Sequence, residues 1–443
     1  MTLLRLTGFA LALLPLAAGA EDLLQVYRDA KGYDAVYAAA RYALVAGQER
    51  VPQARAGLLP SLNASASATR TKIDSESDDP TIVPDYSRDF RTNNQYTLTL
   101  SQPIYRRQNW LQYDQAGWLV KQAEATFSQA EQDLGLRVTQ AYFDVLLAQN
   151  SVRLVEGQKA AISEQLAQAK RNFEVGTATI TDTHEAQARY DLVLAQEIAA
   201  QNDLENKNRA LQQLTGKEYA GLKSLRPGLE LNPPDPNDMQ AWAELAERQG
   251  YPVQIQDAGV QVAMLEAKRA SAGHHPTLDL VASRAQTSQT GSQLSPVGSD
   301  VSTSTLGLQL ALPLYLGGSV NSREREAAAN LEKSRQDLDQ AKRSSALAAR
   351  QAYLASVSGL AQVRALRQAL VSSQSALESN KLGAQVGVRV EIDVLNAQQQ
   401  LFSTQRDLAQ AIYNTIIAQL RLRAAAASLK EEDLAKINQA LAP

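Results

Sequence analysis

The sequence predicts a mixed α/β membrane protein, in which the strands of a transmembrane β-barrel continue into a coiled-coil barrel of long helices. Three observations predict this class. The chain repeats one structural plan twice, each copy contains two stretches of alternating polar and apolar residues, and a long proline-free helical stretch follows each pair. With 443 residues, the chain is long enough for two or three ordinary domains or one elongated one.

The first twenty residues, MTLLRLTGFALALLPLAAGA, have the pattern of a secretory signal peptide. Arg5 precedes an apolar run and Ala18-Gly19-Ala20 precedes Glu21, so we expect cleavage after Ala20. A membrane anchor is the alternative, but the run is shorter than the ~20 residues of a spanning helix. Because the sequence contains no cysteine, we expect neither disulfides nor the lipid-bearing cysteine of a lipoprotein.

Charge and composition limit which partners and which kinds of structure the chain is expected to have. The formal net charge is −3, so no basic surface predicts nucleic-acid binding. Ala, Gln and Leu are abundant whereas Phe and Trp are scarce, which is typical of long helices that pack through small residues. No later run of ~18 apolar residues occurs, so any membrane crossing is expected to use β-strands.

Internal similarity indicates a two-fold structural repeat. TQAYFDVL (139–146) resembles RQAYLASV (350–357), and VGTATITDTHEAQ (175–187) resembles VGVRVEIDVLNAQ (386–398). The residue numbers of the matched positions differ by a nearly constant amount. The small differences fall in loops, where insertions are tolerated.

The repeat predicts the domain organisation. After residues 1–20, the first repeat (21–252) contains strands at about 60–70 and 94–103, a long helix at about 107–174, a return helix at about 182–214 and a linker at 215–252 beside the helices. The second repeat (253–443) contains strands at about 276–285 and 303–313, a long helix at about 318–385, a return helix at about 392–425 and a C-terminal segment at 426–443. The linker is rich in proline, and Asp238 is the predicted N-cap of a short helix that ends near Gly250.

The predicted strands have one apolar and one polar face. Their length of about ten residues suits a tilted membrane-spanning strand of ~9–11 residues. Each predicted strand has a proline at its inner end, where the hydrogen-bonded ladder must stop. These prolines are Pro60, Pro103, Pro276 and Pro313.

The helices carry apolar residues at the alternating four- and three-residue spacing of a coiled coil. In the first long helix these are Leu134, Val138, Ala141, Val145, Ala148, Val152 and Val155. In its return helix they are Ala188, Leu192, Ala195 and Ala199. Each long helix would extend for ~100 Å at the rise of an α-helix.

Four strands cannot close a membrane barrel, because an open edge leaves backbone groups unpaired in lipid. Two chains would supply eight strands and a narrow, filled barrel, whereas three chains would supply twelve. Composition does not choose between them. A long helical tube is useful only if something passes through it, which favours a homotrimer.

The sequence resembles the TolC family of outer-membrane efflux and secretion channels from about Glu21 to about Leu441. The most specific segments are NFEVGTATITDTHEAQARYDLVLAQE (172–197), HPTLDLVAS (275–283), LPLYLGGSVNS (312–322) and VRVEIDVLNAQ (388–398). The resemblance implies a trimeric, twelve-stranded barrel in outer-membrane lipid, with a helical tunnel that tapers to a closed periplasmic tip. It also implies an equatorial domain, to which the linker 215–252 and the C-terminal segment 426–443 would belong. It also implies docking of a periplasmic adaptor protein and an inner-membrane transporter of the RND, ABC or MFS type.

In the TolC family, the tip lies where each long helix turns back, which here corresponds to 175–182 and 386–393. Gly176 and Gly387 are then left-handed positions that end the long helices. Acids follow near the start of each return helix, at Asp182 and Asp393. The helix dipole alone would favour them there, so their position is not by itself evidence of function.

The resemblance also implies roles for single residues. Asp393 corresponds to an acid that faces the pore constriction, and Asn396 corresponds to a second such acid. Arg389, Thr181 and Asp182 correspond to links that hold neighbouring coiled coils together at the closed tip. Ala384 replaces a tyrosine of these links. Glu391 is an alternative source of charge.

Together these features predict a passive exit duct for tripartite efflux or type I protein secretion, opened at its tip by docked partners. The alternative is a periplasmic coiled-coil adaptor or structural protein without a barrel. We expect no catalytic residues, no metal and no cofactor, because no hydrolase or nucleotide-binding motif occurs. The only histidines are His184, His274 and His275.

Overall fold

The structure is a computed structural model that describes residues 21–75, 78, 81, 86–291 and 297–442. The predicted signal segment 1–20 lies outside these residues. The chain forms two compact units. The helical unit comprises the residues up to Ala40, Ser128–Tyr251 and Arg343–Pro443, and the sheet unit comprises Arg41–Phe127 and Pro252–Lys342.

Helices make up most of the described residues. In chain order they are α1 (Leu23–Tyr33), α2 (Ala35–Gln48), α3 (Arg50–Ala56), α4 (Arg107–Glu174), α5 (Ile180–Thr215), α6 (Met239–Gln249), α7 (Tyr251–Ser271), α8 (Ser319–Gln385), α9 (Glu391–Ala425) and α10 (Glu431–Gln439). Among the described residues, no helix combines the length and apolarity needed to cross a membrane.

The sheet unit contains a four-stranded antiparallel sheet in the order β1-β2-β3-β4. The strands are β1 (Ser61–Ser75), β2 (Tyr86–Tyr105), β3 (Thr277–Gln289) and β4 (Ser299–Ala311). The central pair joins strands from the two repeats, with Leu100 opposite Ala282. β1 and β4 therefore form the two edges of the sheet.

The strands are longer than the predicted ten residues, and Pro103 does not end β2 as predicted. Pro103 lies opposite Asp279, the register shifts between Pro103 and Tyr105, and the strand continues to Tyr105. Proline lacks a backbone N–H, but a bulge relaxes the demand for a ladder hydrogen bond at that position. At the ends away from the prolines, the strands continue through polar residues, and the sequence pattern there does not predict strand pairing.

Below the sheet, one ion pair and one small core fix the start of α4 within the sheet unit. Arg106 Nε and Nη2 donate to the two carboxylate oxygens of Asp279 at 2.8 and 2.6 Å. Leu111 packs with Leu265 and Ala272, beside Trp118. The pair therefore connects the end of β2 to β3 just where the helix begins.

In the helical unit, two tyrosines at equivalent positions of the repeat hold the linker. The hydroxyl of Tyr142 donates to the carbonyl oxygens of Glu21 and Lys223 at 3.2 and 2.7 Å. The hydroxyl of Tyr353 donates to Asn237 Oδ1 at 2.9 Å. Tyr142 and Tyr353, which occupy matched positions of the predicted repeat, thus each contact the linker.

The predicted N-cap of the linker helix is confirmed. The carboxylate of Asp238 accepts the backbone N–H of Gln240 at 2.9 Å, and α6 ends at Gly250. Trp242 on this helix packs against Leu422 and Ala426 of the C-terminal part of the chain.

The predicted apolar row of α4 is largely buried within one chain, whereas the predicted row of α5 is exposed there, so its packing in a coiled coil stays a prediction. Leu134, Val138 and Val145 are buried, and the Phe143 ring stacks on Tyr413 with centroids 4.9 Å apart. In α5, however, the predicted row is exposed, with Leu192 at 59% exposure, while Val193 is buried. α5 carries two apolar rows, and only tertiary packing decides which of them faces its own chain.

Candidate functional site

The first helix turn lies between α4 and α5. Gly176 has a φ of 79°, in the left-handed region. Its N–H donates to the carbonyl oxygen of Phe173 at 3.0 Å, and the N–H groups of Thr177 and Ala178 both donate to that of Asn172 at 2.8 and 3.2 Å. These bonds satisfy carbonyls that the end of a helix would otherwise leave without a partner.

The second turn, between α8 and α9, repeats this backbone almost bond for bond. Gly387 has a φ of 78°. Its N–H donates to the carbonyl oxygen of Ala384 at 3.2 Å, and the N–H groups of Val388 and Arg389 donate to that of Gly383 at 2.9 and 3.1 Å. Gly383 therefore occupies the position that Asn172 occupies in the first turn.

The side chains that begin the two return helices differ. In the first turn, Thr179 is the N-cap of α5, and its Oγ1 accepts the N–H of Asp182 at 3.3 Å. Asp182 Oδ2 in return accepts the backbone N–H and the hydroxyl of Thr179, both at 2.8 Å. These hydrogen bonds, the backbone one above all, lower the pKa of the Asp182 carboxyl.

In the second turn, Val390 stands at the N-cap position and has no hydroxyl to offer. The N–H of Asp393 instead donates to the carbonyl oxygen of Val390 at 2.9 Å. The carboxylate of Asp393 then lies beside a cation, because Arg389 Nη1 is 3.5 Å from Asp393 Oδ2. One turn thus encloses its acid in a cap, and the other pairs it with an arginine.

Within the part of the chain that the structure describes, Arg389 and Asp393 are the two predicted site residues whose side chains contact each other. Arg389 contacts Asp393 of its own chain, whereas its predicted contact with Thr181 or Asp182 of a neighbouring chain stays a prediction. Thr181 and Asn396 are both exposed. The Glu391 side chain lies outside the described residues.

Ala384 lies in an apolar environment rather than at a polar link. It is partly buried and packs against a cluster formed by Leu377, Val394 and Leu401. This cluster joins the end of α8 to the start of α9. A small residue here therefore belongs to the packing of the helix pair.

Sequence inspection missed two residues of this site. Thr179 was detectable, because Thr-x-x-Asp before a helix is close to the capping-box pattern. Gly383 was not, because it lies in a helix and its meaning depends on contact. A Cβ added at Gly383 would lie 2.7 Å from Arg389 Cγ, so the absence of a side chain lets Arg389 lie against the end of α8.

The family profile described as "Outer membrane efflux protein" matches residues 27–217 and 248–428. The chain is 32% identical over 434 residues to Outer membrane protein TolC of Vibrio cholerae, covering 98% of this chain and 96% of the relative. It is 34% identical over 437 residues to Alkaline protease secretion protein AprF of Pseudomonas aeruginosa, covering 97% and 89%. It is 33% identical over 428 residues to Proteases secretion protein PrtF of Dickeya chrysanthemi, covering 95% and 91%.

Solved structures resemble the fold over nearly the whole chain. The outer membrane protein VceC of Vibrio cholerae aligns with a TM-score of 0.75 and 18% identity, covering 91% of this chain and 96% of that one. The Campylobacter jejuni CmeC outer membrane channel aligns with a TM-score of 0.79 and 16% identity, covering 95% and 90%. At such identities the likeness concerns the fold alone.

Proposed function

Because the chain belongs to the outer membrane efflux protein family, we propose that it is the exit duct of a tripartite efflux pump or a type I protein secretion system. It is an outer-membrane channel protein with a large periplasmic portion, in a family of channels rather than enzymes. The observation that carries the proposal is the near full-length match to relatives named for both efflux and protease secretion.

The working channel is a homotrimer with a twelve-stranded barrel. A sheet of four strands leaves β1 and β4 as open edges. Leu306, Leu308 and Leu310 of β4 form an apolar row that is 75%, 66% and 69% exposed in one chain. Joining the edges of three chains would pair the backbone and place this row against lipid. The exposed Leu192 row of α5 offers a neighbouring chain an apolar seam.

The tip is the gate of the duct. Arg389 of one chain links to Thr181 and Asp182 of its neighbour, and Asp393 faces the constriction with Asn396 one turn further along α9. Exposed ionic links contribute ~0.2–1 kcal/mol each. A periplasmic adaptor and an inner-membrane transporter that bind the open tip better than the closed one would therefore suffice to open it.

Membrane fractionation provides the first test of this function. The exported protein should sediment with outer membranes and migrate on gels as a trimer that dissociates on heating. Recovery as a soluble periplasmic monomer would instead indicate the alternative, a coiled-coil adaptor or structural protein.

Planar-bilayer recordings test the gate and the constriction separately. Arg389→Ser should raise single-channel conductance, because it removes a link that holds the tip closed. Wild-type conductance in this variant would exclude Arg389 as a gate link. Asp393→Ala should change ion selectivity, and an unchanged reversal potential would remove Asp393 from the constriction.

Protein secretion is the second form of this function, supported by the relatives named for protease secretion. Crosslinking at 174–182 and 385–393, followed by co-purification, would identify the adaptor and transporter that dock at the tip. Recovery of an ABC transporter favours secretion, and recovery of an RND transporter favours efflux.

A further inference from the structure

The pair of Arg389 and Asp393 gives the tip a property that a simple ring of acids lacks. We propose that Arg389 is the counterion of Asp393 in its own chain and thereby sets the ion selectivity of the constriction, with Gly383 as the residue that positions it. This inference rests on the proposed duct, in which Asp393 faces the pore.

The comparison of the two turns shows why Asp393 is available to Arg389 as an acceptor within its own chain. Asp182 already accepts two hydrogen bonds from Thr179 at 2.8 Å. Asp393 has no such cap, because Val390 replaces the threonine, and it lies four residues after Arg389. Arg389 precedes this N-cap, and the turn places its Nη1 3.5 Å from Asp393 Oδ2.

Arg389 is also held from the other side. The backbone N–H groups of Arg389 and Val388 both donate to the carbonyl oxygen of Gly383. A Cβ added at Gly383 would lie only 2.7 Å from the Cγ of Arg389 and 3.3 Å from the Cβ of Arg389. Any side chain at Gly383 would therefore push aside the aliphatic part of Arg389, which holds the guanidinium beside Asp393.

Charge balance gives the consequence for transport. In a trimer, three Asp393 carboxylates would attract cations, but three adjacent guanidinium groups offset them. The constriction then has little net charge and accepts cargo of either sign. Separating Arg389 from Asp393 would make the same constriction cation-selective.

The test measures the reversal potential of purified trimers in planar bilayers under a KCl gradient. Low salt is used because salt screens charges at the tip. Arg389→Gln should raise the ratio of potassium to chloride permeability by about threefold or more, because it exposes three uncompensated acids. Gly383→Ala keeps every charge and suits a helix, and it should shift the ratio in the same direction by a smaller factor. Asp393→Asn should lower the ratio, and the Arg389→Gln/Asp393→Asn double variant should restore it to near the wild-type value.

Arg406→Gln is the matched control. It removes one positive charge, as Arg389→Gln does, but from an exposed arginine within α9. The Nη2 of this arginine lies 3.1 Å from Asp407 Oδ1, and the residue is about 20 Å along the helix from Asp393. Its permeability ratio should equal that of the wild type.

Two outcomes overturn the inference and leave the duct standing: conducting Arg389→Gln channels with the wild-type ratio, or an equal shift in Arg406→Gln. An unchanged ratio in Gly383→Ala alone overturns the positioning role of Gly383. A wild-type protein that forms no channels would instead contradict the proposed function and the inference with it.

Discussion

Thr179 and Asp182 bond to each other in both directions at the start of α5. The Thr179 hydroxyl oxygen accepts the N–H of Asp182 at 3.3 Å, and Asp182 Oδ2 accepts the N–H of Thr179 at 2.8 Å. Thr179→Ala removes both hydrogen bonds of the hydroxyl, leaves only the backbone N–H bond to Asp182, and should loosen the first turn of α5. Hydrogen exchange measured by mass spectrometry should be faster around residues 179–186 in the variant.

The second turn supplies the control for this cap. Val390 has no hydroxyl, so Val390→Ala removes no capping bond and should leave exchange at the start of α9 nearly unchanged. The hydrogen bonds from Thr179 lower the pKa of Asp182. The cap should therefore be fully formed at pH values above the ordinary carboxyl pKa, and it should be lost as the pH falls through the lowered pKa. Equal exchange in wild type and Thr179→Ala at neutral pH would show that the bonds do not order the turn.

Gly176 and Gly387, the left-handed glycines of the two turns, should tolerate asparagine better than alanine. A Cβ at Gly176 or Gly387 meets no atom within 4 Å, so backbone conformation is the only obstacle. Gly387→Ala should destabilise the turn by ~1 kcal/mol, and Gly387→Asn by less, because asparagine enters the left-handed region more readily. Local hydrogen exchange at 383–393 gives this free energy, and equal values for the two variants would contradict the explanation.

The buried Tyr142 hydroxyl should contribute more to stability than its repeat equivalent. Tyr142→Phe leaves the carbonyls of Glu21 and Lys223 without this donor, which costs about 1–3 kcal/mol of unfolding free energy. Tyr353→Phe removes one bond to the exposed Asn237 side chain and should cost less. Thermal unfolding followed by circular dichroism compares the two, and a larger loss in Tyr353→Phe would reverse the assignment.

The buried tyrosines should make the folded state less stable at alkaline pH. Burial raises the pKa of Tyr27 to about 12 and raises that of Tyr142. Because the folded pKa exceeds the unfolded value of about 10, this stabilisation is complete below pH 10 and is lost as the pH rises through the folded values. Unfolding temperatures should therefore fall above about pH 10, and less steeply in Tyr142→Phe. Identical slopes would mean that Tyr142 does not titrate on unfolding.

The ion pair of Arg106 and Asp279 should stabilise the base of the sheet. Arg106→Gln leaves the Asp279 carboxylate, of which only 10% is exposed, without its two charged donors. The expected loss is about 1–3 kcal/mol, because the arginine itself is partly solvated. Arg107→Gln, at the exposed neighbouring position, is the control, and thermal unfolding followed by circular dichroism compares the two variants. Similar losses in both variants would point to general charge rather than to the pair.

Local sequence patterns were sufficient for much of this protein. The long proline-free helices and the N-cap at Asp238 depend on residues close together in the chain, where backbone preference and side-chain capping act directly. The resemblance to the TolC family, confirmed by the family match, rested on segments of the same kind. Thr179 belongs with these features, since its cap spans only three residues.

Tertiary structure alone decided the features that depend on contact between distant residues. Pairing of β2 with β3 joins the two repeats, and a bulge there lets β2 continue past Pro103. Packing selected Val193 rather than Leu192 as the buried residue of α5. At the second turn, the chain reversal brings Arg389 against Gly383, a helical position that no local pattern distinguishes. Sequence determines which groups are available, but burial and charge pairing depend on which surfaces meet, and those are settled only when the chain has folded.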